Sequence, residues 1–125
     1  MPTVLVIDDE PIVRNLVRLA LSLDGFTVLD ATGASEAAVL CKNLGEEQID
    51  LLIIDHGLSP DNGRVIAESL LKLYPSTKVL VISGSAFRVV QDEDGFLPGS
   101  SFLQKPFTPQ QLLSTVQSIL FPSTQ

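Results

Sequence analysis

The sequence has no tryptophan, one cysteine, one histidine, and only eight lysines and arginines against fifteen acids. Each scarcity excludes something. Cys41 stands alone, so an internal disulfide is impossible, and its apolar helical surroundings predict a buried thiol. With His56 as the lone imidazole, a zinc centre built from paired Cys and His ligands is not available. A net charge of -7 argues against a binder of the nucleic-acid backbone, whose affinity depends on clustered Lys and Arg. No apolar run approaches the ~18 residues that would cross a bilayer. The opening MPTVLVIDDE lacks the basic region of a secretory signal, so a cytoplasmic location without membrane attachment is expected.

What is present is a generous apolar fraction, 45% of 125 residues, with a mean hydropathy of +0.32. That composition predicts one compact α/β domain over residues 1–125, with no space for a second core. Val4 to Ile7 reads as a buried strand, followed by a helix that opens at Pro11 and ends at Gly25. Ile12, Val13, Leu16, Val17, Ala20 and Leu23 form its apolar stripe. Phe26 to Leu29 predicts a second strand and Ser35 to Leu44 a second helix stopped by Gly45. Leu51 to Ile54 is a third strand leading to Asp55, and Gly57, Ser59, Pro60, Asp61, Asn62 and Gly63 follow as a loop. A helix from about Val65 to Leu73 ends before Pro75; Lys78 to Ile82 and Phe102-Leu103 supply the last two strands. Thr108-Pro109-Gln110-Gln111 begins the final helix with a capping box, and Leu112, Leu113, Val116, Ile119 and Leu120 form its apolar face. Between Ala86 and Gly95 a long helix is interrupted by Asp92, Glu93, Asp94 and Gly95.

Five buried strands alternating with helices imply a three-layer sandwich around a parallel sheet, because parallel strands require crossover connections. In such open sheets a site forms beyond the carboxyl ends of the strands. Asp8, Asp9, Asp55, Ser83 and Lys105 all stand at such ends. Two carboxylates ~4 Å apart repel by roughly 4 kcal/mol at an effective dielectric near 20, so three of them need a cation or a shared proton. Hard oxygen ligands without Cys point to Mg²⁺. Three carboxylates, one divalent cation and the Lys105 ammonium sum to about zero, which prepares the pocket for a phosphoryl dianion. Asp55, directly after its strand and before a Gly-containing loop, is the preferred nucleophile.

VLVIDDE, the IDLLIID segment ending at Asp55, VISGS and SFLQKPF, in this order and spacing, resemble the successive signatures of the response-regulator receiver family over nearly the whole chain. The resemblance implies a flavodoxin-like (β/α)5 fold with strand order 2-1-3-4-5. It further implies that Asp55 accepts the phosphoryl group and that Asp9, Asp55 and the backbone carbonyl of Gly57 ligate Mg²⁺ (or Mn²⁺), with Asp8 orienting a metal-bound water. Lys105 matches the phosphate-contacting base, Ser83 the hydroxyl residue that turns toward the phosphoryl group, and Phe102 the aromatic whose rotamer follows it. The implied donor is a histidine kinase or a histidine phosphotransfer protein. The implied readout is another protein docking on the surface of the fourth helix, fifth strand and fifth helix, with a phosphorylation-linked dimer as one form of output. The Lys105-Pro106 bond is a candidate for cis geometry. On this reading the chain is no enzyme beyond phosphoryl transfer onto itself and its reversal by water.

The sequence departs from the family at His56, where an aliphatic residue is usual, and at Ser59, where proline is usual. Other readings stand beside the main one. Asp9 or Glu10 could complement the next helix dipole, Ser83 could be a local cap, and Phe102 could be a core residue. Alternation along a strand directs His56 away from the pocket. A receiver-shaped interaction module without phosphotransfer keeps the same residues. An aspartyl-phosphate hydrolase would need a second Asp where Gly57 stands, and a flavodoxin-like flavoprotein would need a Ser/Thr-rich loop where Asp8, Asp9 and Glu10 would repel its phosphate.

Overall fold

The computed structural model describes residues 2–44, 47–57, 63–86, 97 and 99–122. Five strands, β1 (Thr3–Ile7), β2 (Thr27–Ala31), β3 (Leu51–Asp55), β4 (Lys78–Ser83) and β5 (Ser101–Gln104), form one parallel sheet in the order β2-β1-β3-β4-β5. The described helices are α1 (Pro11–Leu23), α2 (Ala34–Leu44), α3 (Gly63–Leu73) and α4 (Pro109–Leu120). This is the flavodoxin-like, doubly wound arrangement expected from the sequence.

Strand alternation divides the interior into two cores. Val4, Val6, Leu51, Ile53, Leu80 and Ile82 pack toward α1 and α4, against Val17, Leu21, Leu112 and Val116. Leu5, Ile7, Leu52, Ile54, Val79 and Val81 pack toward α2 and α3, against Ala37, Cys41, Ile66 and Leu70. Cys41 is buried there, as its apolar setting foretold.

Several boundaries shift for physical reasons. Only the inner strands β1, β3 and β4 are largely buried; the edge strands β2 and β5 are half-covered, because each has a neighbour on one side only. β2 starts at Thr27 and not Phe26, since Gly25 turns the chain with φ 94° and the Phe26 N–H caps α1 by donating to the Leu21 carbonyl. In α1 the predicted stripe holds at Val13, Leu16, Val17 and Ala20, which pack on the core; Leu21 joins it fully buried, whereas Ile12 and Leu23 are exposed. α3 starts at Gly63, ahead of the expected Val65. The capping box of α4 forms as read, with Gln111 N–H donating to Thr108 Oγ1 and Thr108 N–H to Gln111 Oε1, and Lys105-Pro106 is cis. The predicted helix stop at Gly45, the loop residues Ser59 to Asn62 and the interrupted stretch between residues 87 and 96 lie outside the described residues.

Candidate functional site

The carboxyl ends of β1, β3 and β5 bring acids and one base together through alternation and register. Val6 pairs with Ile53 across the inner ladder, and both face α1 and α4. Two residues further along, Asp8 and Asp55 continue on that same face. Lys105 stands two residues beyond Leu103, which packs into the same core. Asp8 is fully buried and Asp55 is 6% exposed, so their placement reflects the fold and not a solvated edge.

Lys105 Nζ lies 2.9 Å from Asp8 Oδ2 and 3.3 Å from Asp55 Oδ1. One carboxylate oxygen from each of Asp8, Asp9 and Asp55 falls within 4.8 Å of the others. Burial raises the pKa of Asp8, and the Glu10 N–H and Lys105 pull it back without prevailing. Burial also works against the Lys105 ammonium, but hydrogen bonds to Glu10 and Asp8, with the charges of Asp55 and Asp8, outweigh it and raise its pKa. Both partners thus shift upward, because a fully buried carboxylate gives up more hydration than one shared ammonium returns.

Two residues of this site were absent from the sequence-based set. Glu10 Oε1 makes the shortest contact to Lys105 Nζ, 2.6 Å, and the Glu10 N–H donates to Asp8 Oδ1 at 2.8 Å. Arg14 Nη1 donates to the Asp8 carbonyl at 2.8 Å while its Nε pairs with Asp30 on β2 at 3.4 Å. Their only sequence signals were an acid next to Asp8-Asp9 and a base one helical turn later. Glu10 also corrects the expected charge balance: four carboxylates against one ammonium and one divalent cation sum to about -1, not zero.

The donor set fits a hard divalent cation. Asp8 Oδ2 is buried without a well-directed hydrogen bond, although Lys105 stands beside it, and such an atom is costly unless something positive completes it. Among the described residues the side-chain ligands grouped here are carboxylate oxygens, the chemistry of Mg²⁺, Ca²⁺ or Mn²⁺ and not of zinc.

Gly57 places no side chain beside Asp55: a Cβ added there would be 3.9 Å from Asp55 Oδ2. Gly63 is different, because a Cβ added there would sit 2.5 Å from the Asp55 backbone oxygen. The first residue of α3 therefore lies directly on the main chain of Asp55. Ser83 is buried, its Oγ accepting the Ser85 N–H at 3.0 Å and its carbonyl accepting the Lys105 N–H at 2.7 Å. Phe102 packs against the α2/α3 core, on the same side of the sheet as Val81. His56 lines a small cavity with Ile54, Gly63, Ala67 and Val81, so it does leave the acidic pocket as alternation required.

Residues 4–117 match the family described as the response regulator receiver domain. Among curated relatives, the sensor kinase CckA of Brucella abortus is 35% identical over 94% of this chain, which corresponds to 12% of that protein. Two further curated relatives are matched over 49% and 50% of their lengths, so the chain spans at most about half of each of these proteins. Among solved structures, the chemotaxis response regulator CheY4 of Vibrio cholerae superimposes with a TM-score of 0.83 at 25% identity, covering 96% of this chain and 99% of that one. A response regulator of Burkholderia pseudomallei, solved with a phosphorylated aspartic acid and a calcium ion, gives a TM-score of 0.75 at 26% identity over 98% of this chain and 68% of that one.

Proposed function

The chain belongs to the response regulator receiver domain family, and from that premise we propose that residues 1–125 form one receiver domain in which Asp55 takes the phosphoryl group. The observation that supports this most is the contact of one ammonium, Lys105 Nζ, with two buried carboxylates from different strands, Asp8 at 2.9 Å and Asp55 at 3.3 Å.

The donor in this reading is the phosphohistidine of a histidine kinase or a phosphotransfer protein. An Asp55 carboxylate oxygen attacks phosphorus, a P–O bond forms, the P–N bond breaks, and the imidazole leaves with the electron pair. Lys105 meets the charge on the phosphoryl oxygens, and Asp8 and Asp55 keep that ammonium in place beforehand. Asp8, Asp9, Asp55 and the Gly57 carbonyl would hold Mg²⁺ or Mn²⁺, which supplies the second positive charge for the transferring group. Ser83 gives up its bond to the Ser85 N–H to reach the new phosphoryl oxygen, and Phe102 follows by packing. A partner protein in the same cytoplasmic compartment reads the change, through a surface contact or a phosphorylation-linked dimer. Water attack at phosphorus, releasing inorganic phosphate and the free carboxylate, resets the domain, which acts only on itself and is no turnover enzyme. No helix among the described residues is long and apolar enough to cross a membrane.

Incubation with Mg²⁺ and a small acyl phosphate, followed by intact-mass measurement of wild type and Asp55→Asn, tests the assignment. One phosphoryl adduct on the wild type, lost to hydroxylamine and missing from the variant, is expected. An adduct that survives hydroxylamine, or that persists without Asp55, overturns it.

A further inference from the structure

The ammonium of Lys105 has three hydrogens. Three carboxylate oxygens already surround it, Glu10 Oε1 at 2.6 Å, Asp8 Oδ2 at 2.9 Å and Asp55 Oδ1 at 3.3 Å. Of the three only Glu10 Oε1 accepts a well-directed hydrogen bond from it, and with three oxygens this close a phosphoryl oxygen that bonds the ammonium competes with one of them. Asp8 cannot be the one that leaves: it is fully buried, and its other oxygen accepts the Glu10 N–H at 2.8 Å. Asp55 cannot leave either, because it carries the incoming group in the reading above. Glu10 remains. Its side chain is 59% exposed, it makes no capping hydrogen bond to α1, and a rotamer change takes its charge into water at little cost.

We propose that Glu10 is a latch on Lys105, holding the ammonium in the unphosphorylated domain by occupying the place a phosphoryl oxygen will take, and swinging out when that oxygen arrives. The inference rests on Asp55 being the acceptor. Two consequences follow from the same geometry. The latch keeps Lys105 oriented while the pocket is empty, and it sets a threshold against phosphate-like dianions, since Glu10 must leave before Lys105 is free to bind them. Glu10 thus belongs among the residues that decide how readily the site is charged.

The test compares wild type, Glu10→Gln and Glu10→Asp at saturating Mg²⁺, measuring the rate of adduct formation from a small acyl phosphate by intact mass and the affinity for beryllofluoride as a phosphoryl mimic. The exposed position allows all three proteins to fold. Glu10→Gln is expected to react about five- to tenfold faster and to bind beryllofluoride more tightly by a similar factor, as removal of one nearby negative charge predicts. Glu10→Asp keeps the charge but is one methylene too short for the 2.6 Å contact, so it too should be faster than wild type. A Glu10→Gln rate equal to or below wild type overturns the latch. A Glu10→Asp rate equal to wild type also overturns it, because diffuse charge and not contact would then be at work. Wild type that takes no phosphoryl group at Asp55 removes the functional reading and the latch together, whereas wild type that is modified normally with unresponsive Glu10 variants removes the latch alone.

Discussion

Replacing Gly63 by alanine should damage both stability and chemistry, and the structure sets the scale. The added Cβ would lie 2.5 Å from the Asp55 carbonyl oxygen, 3.3 Å from its carbon and 3.4 Å from Ile54 Cγ1. The first of these is 0.5 Å inside the 3.0 Å below which Cβ atoms are essentially never found. The obstacle is main chain in the most buried strand, so it cannot rotate aside; either α3 lifts or β3 bends. Overpacking of this kind costs about 1–3 kcal/mol. Alanine's helix propensity returns up to ~1 kcal/mol, and less at a first helical position. A net loss of about 1–2 kcal/mol remains, which for a domain of this size lowers the melting midpoint by roughly 4–8 °C. Because the displaced atoms belong to Asp55, adduct formation should also slow by about tenfold or more. Gly33→Ala is the control, since its Cβ meets nothing within 4 Å, and it should stay within about 0.5 kcal/mol of wild type. Thermal melts and intact-mass time courses on the two variants decide the matter. A Gly63→Ala protein as stable and as reactive as wild type would refute the close-approach argument.

Asp8→Asn should make the metal-free protein more stable by about 1 kcal/mol at neutral pH, because a carboxylate held against burial is replaced by a neutral group of the same shape. The same variant should lose the ~2.7 kcal/mol that Mg²⁺ at a hundred times its dissociation constant gives wild type; equal Mg²⁺-induced shifts in the two melts would count against the metal site. Phospho-Asp55 should decay in well under many hours in purified, Mg²⁺-bound protein, since Gly57 places no side chain beside Asp55 Oδ2, and Gly57→Val should lengthen that lifetime in the same mass assay. At Glu36 the sign of the pH effect is fixed by its bonds from Thr32, the hydroxyl first and then the N–H at 2.6 Å, which lower its pKa below 4.5. The associated stability is complete above that value and is lost as pH falls through the lower folded value, so Glu36→Gln should converge with wild type in acid melts. A difference that widens as the pH drops would contradict this.

The parallel sheet and the strand-end positions of Asp8, Asp55 and Lys105 could be read in advance because β-runs, helix stops and strand-end polar residues are local patterns with long-range consequences, whereas the strand order came from the family resemblance. Parallel pairing then makes the rim inevitable. Glu10 was harder: its neighbours suggested a helix-dipole role, and nothing local reveals that a side chain at the start of α1 reaches a lysine 95 positions away. Arg14 was hidden for the same reason, since its partners are a backbone carbonyl and an acid on β2. In α1 hydropathy alone points to Ile12 and Leu23 at the margins of the stripe, but the crossing of α1 over β1 and β2 and its packing on α4 select Leu21 instead. Phe26 was misassigned because its β-forming character is overridden by the turn at Gly25.

The alternation that gathers Asp8, Asp55 and Lys105 on one side of β1, β3 and β5 sends Phe102 to the other. In the reading proposed above the sheet is therefore a partition, with phosphoryl transfer on one side and the Phe102 readout on the other. Volume changes deep in the α2/α3 layer, at Leu52 or Leu70 for example, should alter how a partner perceives the domain more than how fast the domain is charged. Equivalent changes under α1 and α4 should do the reverse, which makes the two functions separable by choosing which parity of residue to alter.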